Sequence, residues 1–143
     1  MFSIEMEVRD YECDMQGVVN NSVYQNYLEH ARHCYLKSIG NDFAALTAKG
    51  VNLVVTRVEI DYKLSLVSGD RFIVEVETER ISPLRIGFRQ RILRLPDRKT
   101  VVMALTTGTA LNAEGKPGRL PAELTPLLTN ASGGALSVYF TPE

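Results

Sequence analysis

The sequence predicts an α+β domain, one long amphipathic helix packed on a five-stranded antiparallel sheet. Three features predict it. Residues 22–39 carry a helical apolar stripe. Segments 2–11, 53–66, 71–81, 85–95 and 100–112 run apolar and polar residues in strand-like succession. Short turns join the last four of these segments, so successive strands are expected to run antiparallel.

In 2–11, Phe2, Ile4, Met6 and Val8 alternate with Ser3, Glu5, Glu7 and Arg9, the period of a half-buried strand. The next stretch, CDMQGVVNN, holds Asp14, Gly17, Asn20 and Asn21. It reads as a turn whose Asn20, Asn21 or Ser22 caps a helix. From Ser22 to Ile39, Val23, Tyr27, Ala31, Cys34 (or Tyr35) and Ile39 recur at helical spacing, widened by Tyr24, Leu28 and Leu36. That makes about five turns, ended by Gly40. Asn41–Ala48 reads as one further short helical segment, stopped by Gly50.

In 53–66, Val54, Thr56, Val58, Ile60, Tyr62 and Leu64 alternate with Val55, Arg57, Glu59, Asp61 and Lys63. Ser68-Gly69-Asp70 is a turn of hairpin length leading to 71–81. Ser82-Pro83-Leu84 breaks to 85–95, where Ile86, Phe88, Gln90 and Ile92 share a face. Pro96-Asp97-Arg98 turns to 100–112, which is apolar on both faces from Val101 to Leu105, as an interior strand is. Pro121–Leu128 is expected to form a short terminal helix. The expected domain is 1–128, with 129–143 a loosely ordered tail.

Composition narrows the function. At 143 residues there is room for one core. A net charge of −1 gives no bulk attraction to nucleic acid or to an anionic membrane surface. No stretch approaches the roughly 20 apolar residues of a membrane span. MFSIEMEVRDYE, with four acidic groups, is unlike a signal peptide. Cys13 and Cys34 form no CxxC pair and make no zinc spacing with His30 and His33. The expected setting is a reducing cytoplasm. One helix on one sheet leaves a helix flank and a sheet edge bare, so the chain is expected to self-associate.

The chemistry concentrates in VRDYECDMQGVVNNSVYQNY, followed by Glu29 and Arg32. An Asp, then Gly-Val-Val, then a helix of the form Tyr-x-x-Tyr-x-Glu-x-x-Arg resembles the 4-hydroxybenzoyl-CoA thioesterase family of hot-dog proteins. In detail it is similar to plant plastid acyl-lipid (acyl-carrier-protein) thioesterases and their bacterial relatives. The likeness spans roughly residues 5–127. It implies a hot-dog fold, with the sheet wrapped around the helix, acting as a homodimer or homotetramer with sites at the subunit interface. It implies hydrolysis of an acyl thioester, Asp14 being the catalytic carboxylate and the Val18 amide polarising the thioester carbonyl.

The residue types suit that chemistry. Thioester hydrolysis needs an activated water or a carboxylate nucleophile, and a stabiliser for the developing oxyanion. Asp14 supplies the first. The unpaired N–H groups at the start of the helix, with Gly17 and Val18 turning beside them, supply the second. Asn21 stands where some relatives have Tyr or His. It can orient a water but cannot relay a proton. The plant-like group shares the Asn, which implies fatty or β-keto acyl chains rather than aromatic acids.

Further substrate contacts are expected from Gly17, Tyr24, Thr56, Ser82, Leu84, Arg85 and Arg89. Arg85, Arg89 and Arg91 alternate onto one strand face that can meet the phosphates of CoA or an acidic carrier protein. An acyl tunnel is expected between helix and sheet, lined by Val23, Tyr27, Leu53, Val55 and Met103. Tyr24 and Tyr27 read first as core or interface aromatics, Cys13 as a small packing residue, and Glu29 with Arg32 as an ion pair. No metal or cofactor is expected, CoA or phosphopantetheine being part of the substrate. Two other classes fit the fold: a hot-dog dehydratase, disfavoured because no His lies near Asp14, and a non-catalytic acyl-CoA-binding module.

Overall fold

A computed structural model describes residues 1–40, 48, 50, 52–112 and 114–120. Apart from Ala48, the helical segments expected at 41–48 and 121–128 and the tail at 129–143 lie outside the described residues.

The elements are β1 (Phe2–Glu7), α1 (Asn21–Ser38), β2 (Asn52–Tyr62), β3 (Arg71–Ser82), β4 (Arg85–Arg94), β5 (Lys99–Leu111) and a two-residue β6 (Pro117–Gly118). A single 3-10 turn, Asp10–Glu12, follows β1. The five long strands form one antiparallel sheet in the order β1-β3-β4-β5-β2, with β6 added on β5. The sheet therefore has six strands where five were expected. The sixth arises because Asn112 Oδ1 accepts from the N–H groups of Glu114 and Lys116, both at 3.0 Å, folding the chain back on itself.

The alternation sorts the strand faces as expected. Ile86, Phe88 and Ile92 pack in one core with Phe72, Val74, Val76, Val102 and Ala104. Tyr24, Tyr27, Leu28, Ala31 and Leu36 close this core from α1. Each fully buried large side chain contributes about 1.5–3 kcal/mol. The helix starts at an Asn20 cap, whose Oδ1 accepts from Ser22 N–H at 3.0 Å. It stops where Gly40 adopts φ +83°. A sheet wrapped around one central helix is the hot-dog arrangement.

One connection differs from expectation. The turn Ser68-Gly69-Asp70 does not join neighbouring strands, because β2 pairs with β5 and not with β3. Residues 63–70 instead cross the end of the sheet at the start of α1. Leu66 is fully buried there, its N–H donates to the Tyr24 hydroxyl at 2.9 Å, and Val67 bridges Val18. Burying Leu66 and capping its amide with Tyr24 outweighs a local hairpin.

β2 closes one side of the sheet as an edge strand with large apolar side chains in solvent: Val55 is 53% exposed, Val58 38% and Tyr62 46%. Such an edge favours pairing with another strand.

Candidate active site

The segment between the 3-10 turn and α1 is a tight reversal. Asp14 N–H donates to Val18 O at 2.9 Å, and Gly17 N–H returns to Asp14 O at 3.0 Å. Cys13 and Val19 bridge antiparallel just outside. Gly17 has φ +80°, a left-handed conformation that a Cβ makes costly. This places the Asp14 carboxylate at the tip, exposed to solvent, with Oδ1 accepting from Gln16 N–H at 2.9 Å. That bond fixes one carboxylate oxygen, and Oδ2 has no partner among the described residues.

The same reversal leads straight into the helix. Asn20 caps the Ser22 amide. Among the described residues the Val18 and Asn21 N–H groups take no hydrogen-bond acceptor. Unpaired amides beside a helix N-terminus carry partial positive charge and suit a developing oxyanion. Asp14, Gly17, Val18 and Asn21 are thus gathered by local chain geometry.

Two tyrosines hold this loop from behind. Tyr27 donates from its hydroxyl to Glu12 Oε1 at 2.8 Å, and both side chains are buried. Glu12 Oε1 also accepts from Arg9 N–H at 2.8 Å, and Arg9 reaches Oε2 at 3.4 Å. Burial, then the bond to Glu12, push the Tyr27 phenol well above its ordinary value. Tyr24, expected to touch substrate, is 2% exposed and holds the Leu66 amide. Burial likewise pushes its phenol up. It sits in the core, its other expected role. Glu12 was missed in the sequence, where only an acidic residue in a Cys-Asp turn signalled it.

The other expected residues lie elsewhere in the chain. Ser82, Leu84 and Arg85 form the turn between β3 and β4. That turn is separated from the Asp14 end of the sheet by the 12 residues of β3, roughly 36 Å at strand rise. Ser82 Oγ accepts from Leu84 N–H at 3.2 Å, and Arg85 is exposed. Thr56 lies on β2 at a bulge between Val55 and Arg57, its hydroxyl donating to Thr107 O at 3.2 Å.

The expected open arginine face is different in kind. Arg89 pairs with Glu79 at 2.7 Å and Arg91 with Glu75 at 2.6 Å, on the face away from the helix. The strand register sets glutamates of β3 opposite arginines of β4, so these charges are neutralised within the sheet.

A cavity of about 200 Å³ lies between the later turns of α1 and the β2 edge. Leu53, Val55, Ile86 and Phe88 give it apolar walls, and Glu29, Arg32 and His33 face it from α1. Leu53 and Val55 therefore line a pocket as expected. Met103 does not, because it stands between core residues Val102 and Ala104 and points to the other face. Tyr27 is committed to Glu12. Glu29 and Arg32 are not within ion-pair distance. Arg32 Nη1 instead donates to Gln90 Oε1 at 3.1 Å and to Thr106 Oγ1 at 3.5 Å. Gln90 on the buried strand face was the signal in the sequence that such a donor existed. Among the described residues no group of three or more His, Cys, Asp or Glu side chains is placed to hold a metal ion.

Comparison with known proteins agrees with this architecture. Residues 8–128 match the model of the thioesterase-like superfamily. The acyl-acyl carrier protein thioesterase ATL2, chloroplastic, of Arabidopsis thaliana is 39% identical over 121 residues, covering 85% of this chain. The chain spans 64% of the length of that relative. The long-chain acyl-CoA thioesterase FadM of Escherichia coli is 28% identical over 104 residues, covering 72% of this chain and 77% of that one. Among solved structures, a 1,4-dihydroxy-2-naphthoyl-CoA thioesterase from Synechocystis superposes with a TM-score of 0.85 at 21% identity. The superposition covers 90% of this chain and 96% of that one, a likeness of fold. Matched by the family model over most of its described length, with the hot-dog fold and the Asp-bearing reversal before the helix, the chain belongs to the thioesterase-like superfamily.

Proposed function

We propose that this chain hydrolyses an acyl thioester, of coenzyme A or of acyl carrier protein, with Asp14 as the reacting carboxylate. The observation that carries the reading is the reversal that holds the exposed Asp14 carboxylate next to the free Val18 and Asn21 amides at the start of α1. The relatives' names support it: two are acyl-acyl carrier protein thioesterases and others acyl-CoA thioesterases.

The thioester carbonyl oxygen lies toward the Val18 N–H, where the helix start stabilises negative charge. Asp14 takes a proton from water as water attacks the carbonyl carbon. In the second form of the step, Asp14 attacks directly and an acyl-aspartate anhydride is hydrolysed afterwards. Either way the C–S bond breaks, the thiol leaves with a proton, and a free acid remains. Asn21 orients the water. No metal or organic cofactor takes part, CoA or phosphopantetheine belonging to the substrate.

Self-association completes the site in this reading. Antiparallel pairing of two β2 edges would set the Asp14 end of each copy against the Leu53–Val55 end of the other. It would also bring the Ser82–Arg85 turn, remote within one chain, toward the other copy's Asp14, where Arg85 can meet the carrier's phosphates. The working form is a homodimer or a homotetramer built from it, in a reducing cytoplasm that keeps Cys13 and Cys34 as free thiols. Fatty or β-keto chains are the proposed acyl groups.

The test is thiol release from aromatic, saturated and β-keto acyl-CoA thioesters and from the matching acyl carrier protein thioesters, by wild type and Asp14→Ala. Turnover of one class, lost in Asp14→Ala, supports the reading. Binding without turnover of any thioester would favour the acyl-CoA-binding module instead.

A further inference from the structure

The end of the sheet remote from Asp14 is cationic. Arg80 lies near the end of β3, Arg85 begins β4, and Lys116 and Arg119 flank β6. The strand register gathers them. Ser82 pairs with Arg85 across the β3–β4 turn, Arg85 with Thr109, and Gly118 with the next residue of β5, Ala110. Leu120 N–H donates to Pro83 O at 3.1 Å, which seats Arg119 beside the turn. All four cations are exposed, and none lies within ion-pair distance of a carboxylate among the described residues. Exposed arginines elsewhere on the strands are matched, Arg57 with Glu59 and Arg71 with Glu5. Nearby Glu79 is taken by Arg89, which leaves Glu114 as the exposed carboxylate among the described residues of this end. The net charge of −1 conceals this local excess.

The turn between these cations is apolar and rigid. Ile81 is 43% exposed and Leu84 39%, on either side of exposed Pro83. Thr109 Oγ1 donates to Leu84 O at 2.7 Å, and Leu84 N–H donates to Ser82 Oγ at 3.2 Å. With Pro83 O held by Leu120, the turn is a preformed crest that does not mould itself to a partner. A crest of apolar side chains within a cationic rim fits a layer whose anionic surface overlies hydrocarbon. A fluid bilayer offers that sequence of layers and demands no shape complementarity. A folded acidic protein would have to supply a matching groove.

We propose that the β3–β4 turn, with Arg80, Lys116 and Arg119 around it, docks this chain on an anionic membrane surface, Ile81 and Leu84 entering the headgroup layer. The docking is weak and reversible, because a few cations and two apolar side chains make a peripheral contact and not an anchor. Pairing of two β2 edges extends the sheet sideways and leaves this end open. The docking does not depend on the thioesterase reading. With that reading, a fatty acid product is released beside a bilayer that dissolves it.

The experiment is co-sedimentation of the full-length chain with vesicles of phosphatidylcholine alone and of equal parts phosphatidylcholine and phosphatidylglycerol. Wild type should bind the anionic vesicles, release them as salt rises, and ignore the neutral ones. Each cation near such a surface strengthens binding about fivefold, so Arg80→Ser, Lys116→Ser and Arg119→Ser together should weaken it roughly a hundredfold. Arg85 and Leu84 are left unchanged, since they also belong to the proposed substrate contacts. Ile81→Ser should weaken binding while its salt dependence persists. Lys63→Ser with Arg98→Ser, at the Asp14 end, should leave binding as it is, and melting temperatures of all variants report an intact fold. Absence of wild-type binding, equal binding to neutral vesicles, or an equal loss in the Asp14-end variant overturns the inference. So does capture by an acyl carrier protein without any binding to vesicles, lost in the triple variant, which would make the partner an acidic protein.

Discussion

The Tyr27 hydroxyl donates to Glu12 Oε1 at 2.8 Å, tying the second turn of α1 to the segment that runs into Asp14. The same carboxylate oxygen accepts from the Arg9 amide, and the Glu12 carbonyl accepts from Asn20 N–H at 3.1 Å. Glu12 therefore sets both the start of the reversal and the helix cap that ends it.

Tyr27→Phe keeps the ring packing against Phe72, whose centroid lies 4.7 Å away, and removes only the hydroxyl. The buried Glu12 carboxylate then loses a donor. The expected loss of stability is about 1–3 kcal/mol, read as a lower denaturant midpoint with an unchanged slope. In the proposed reaction kcat falls and KM stays, because the loop loses its brace and no substrate contact is removed. An unaltered midpoint would show that Arg9 alone satisfies Glu12.

Alkaline stability follows from the raised phenols. Tyr24 and Tyr27 are pushed above the ordinary value of 10.0, in each case chiefly by burial. In the unfolded chain they lose their protons at lower pH than in the folded one. The unfolded state then binds fewer protons, so stability is full below about pH 10 and declines as pH rises above it. The decline approaches about 1.4 kcal/mol per pH unit for each tyrosine involved. Denaturant unfolding between pH 8 and 11 measures it. Tyr27→Phe, less stable at neutral pH, should show the shallower alkaline decline, and an equal slope would remove Tyr27 from the account.

Gly17 isolates the backbone of the loop. A Cβ there meets nothing within 4 Å, so Gly17→Ala carries only the strain of φ +80°. The expected cost is about 1–2 kcal/mol, with Gly17→Asn milder because Asn tolerates that conformation. Thermal melts of the two variants give the comparison. Equal destabilisation by both would point to a clash that the geometry does not contain.

The bare β2 edge predicts association. Val55→Lys combined with Val58→Lys sets like charges near each other across a paired β2 edge. Sedimentation velocity should show wild type as a dimer or larger species and the double variant as monomer, with the proposed activity lost alongside. A monomeric wild type that is fully active would remove the partner from the site.

Much of this was legible from residue order, and the limits have physical causes. Alternation separated Ile86, Phe88, Gln90 and Ile92 from Arg85, Arg89 and Arg91 because strand side chains must alternate. The 3.6 period found α1 to within a residue at its start. The Asp-Gly reversal and the Asn20 cap are local chemistry, so Asp14, Gly17, Val18 and Asn21 came out together. What failed depends on pairing between distant segments. The path of 63–70 is decided by Leu66 burial and the Tyr24 hydroxyl, and a short turn there resembles any hairpin. The pairing of Arg89 with Glu79 needs the β3–β4 register. Arg32 was matched with Glu29 by spacing, whereas the fold gives it Gln90 and Thr106 from two strands.

The central claim is that the Asp14 carboxylate does the chemistry and not merely the turn. Asp14→Asn tests it most directly, since the amide oxygen can still accept from Gln16 N–H and preserve the loop. With the best thioester found for wild type, the account predicts a fall in kcat on the order of a hundredfold or more at an unchanged melting temperature. Activity within a few-fold of wild type would contradict it, leaving Asp14 as a turn residue and the reacting group elsewhere.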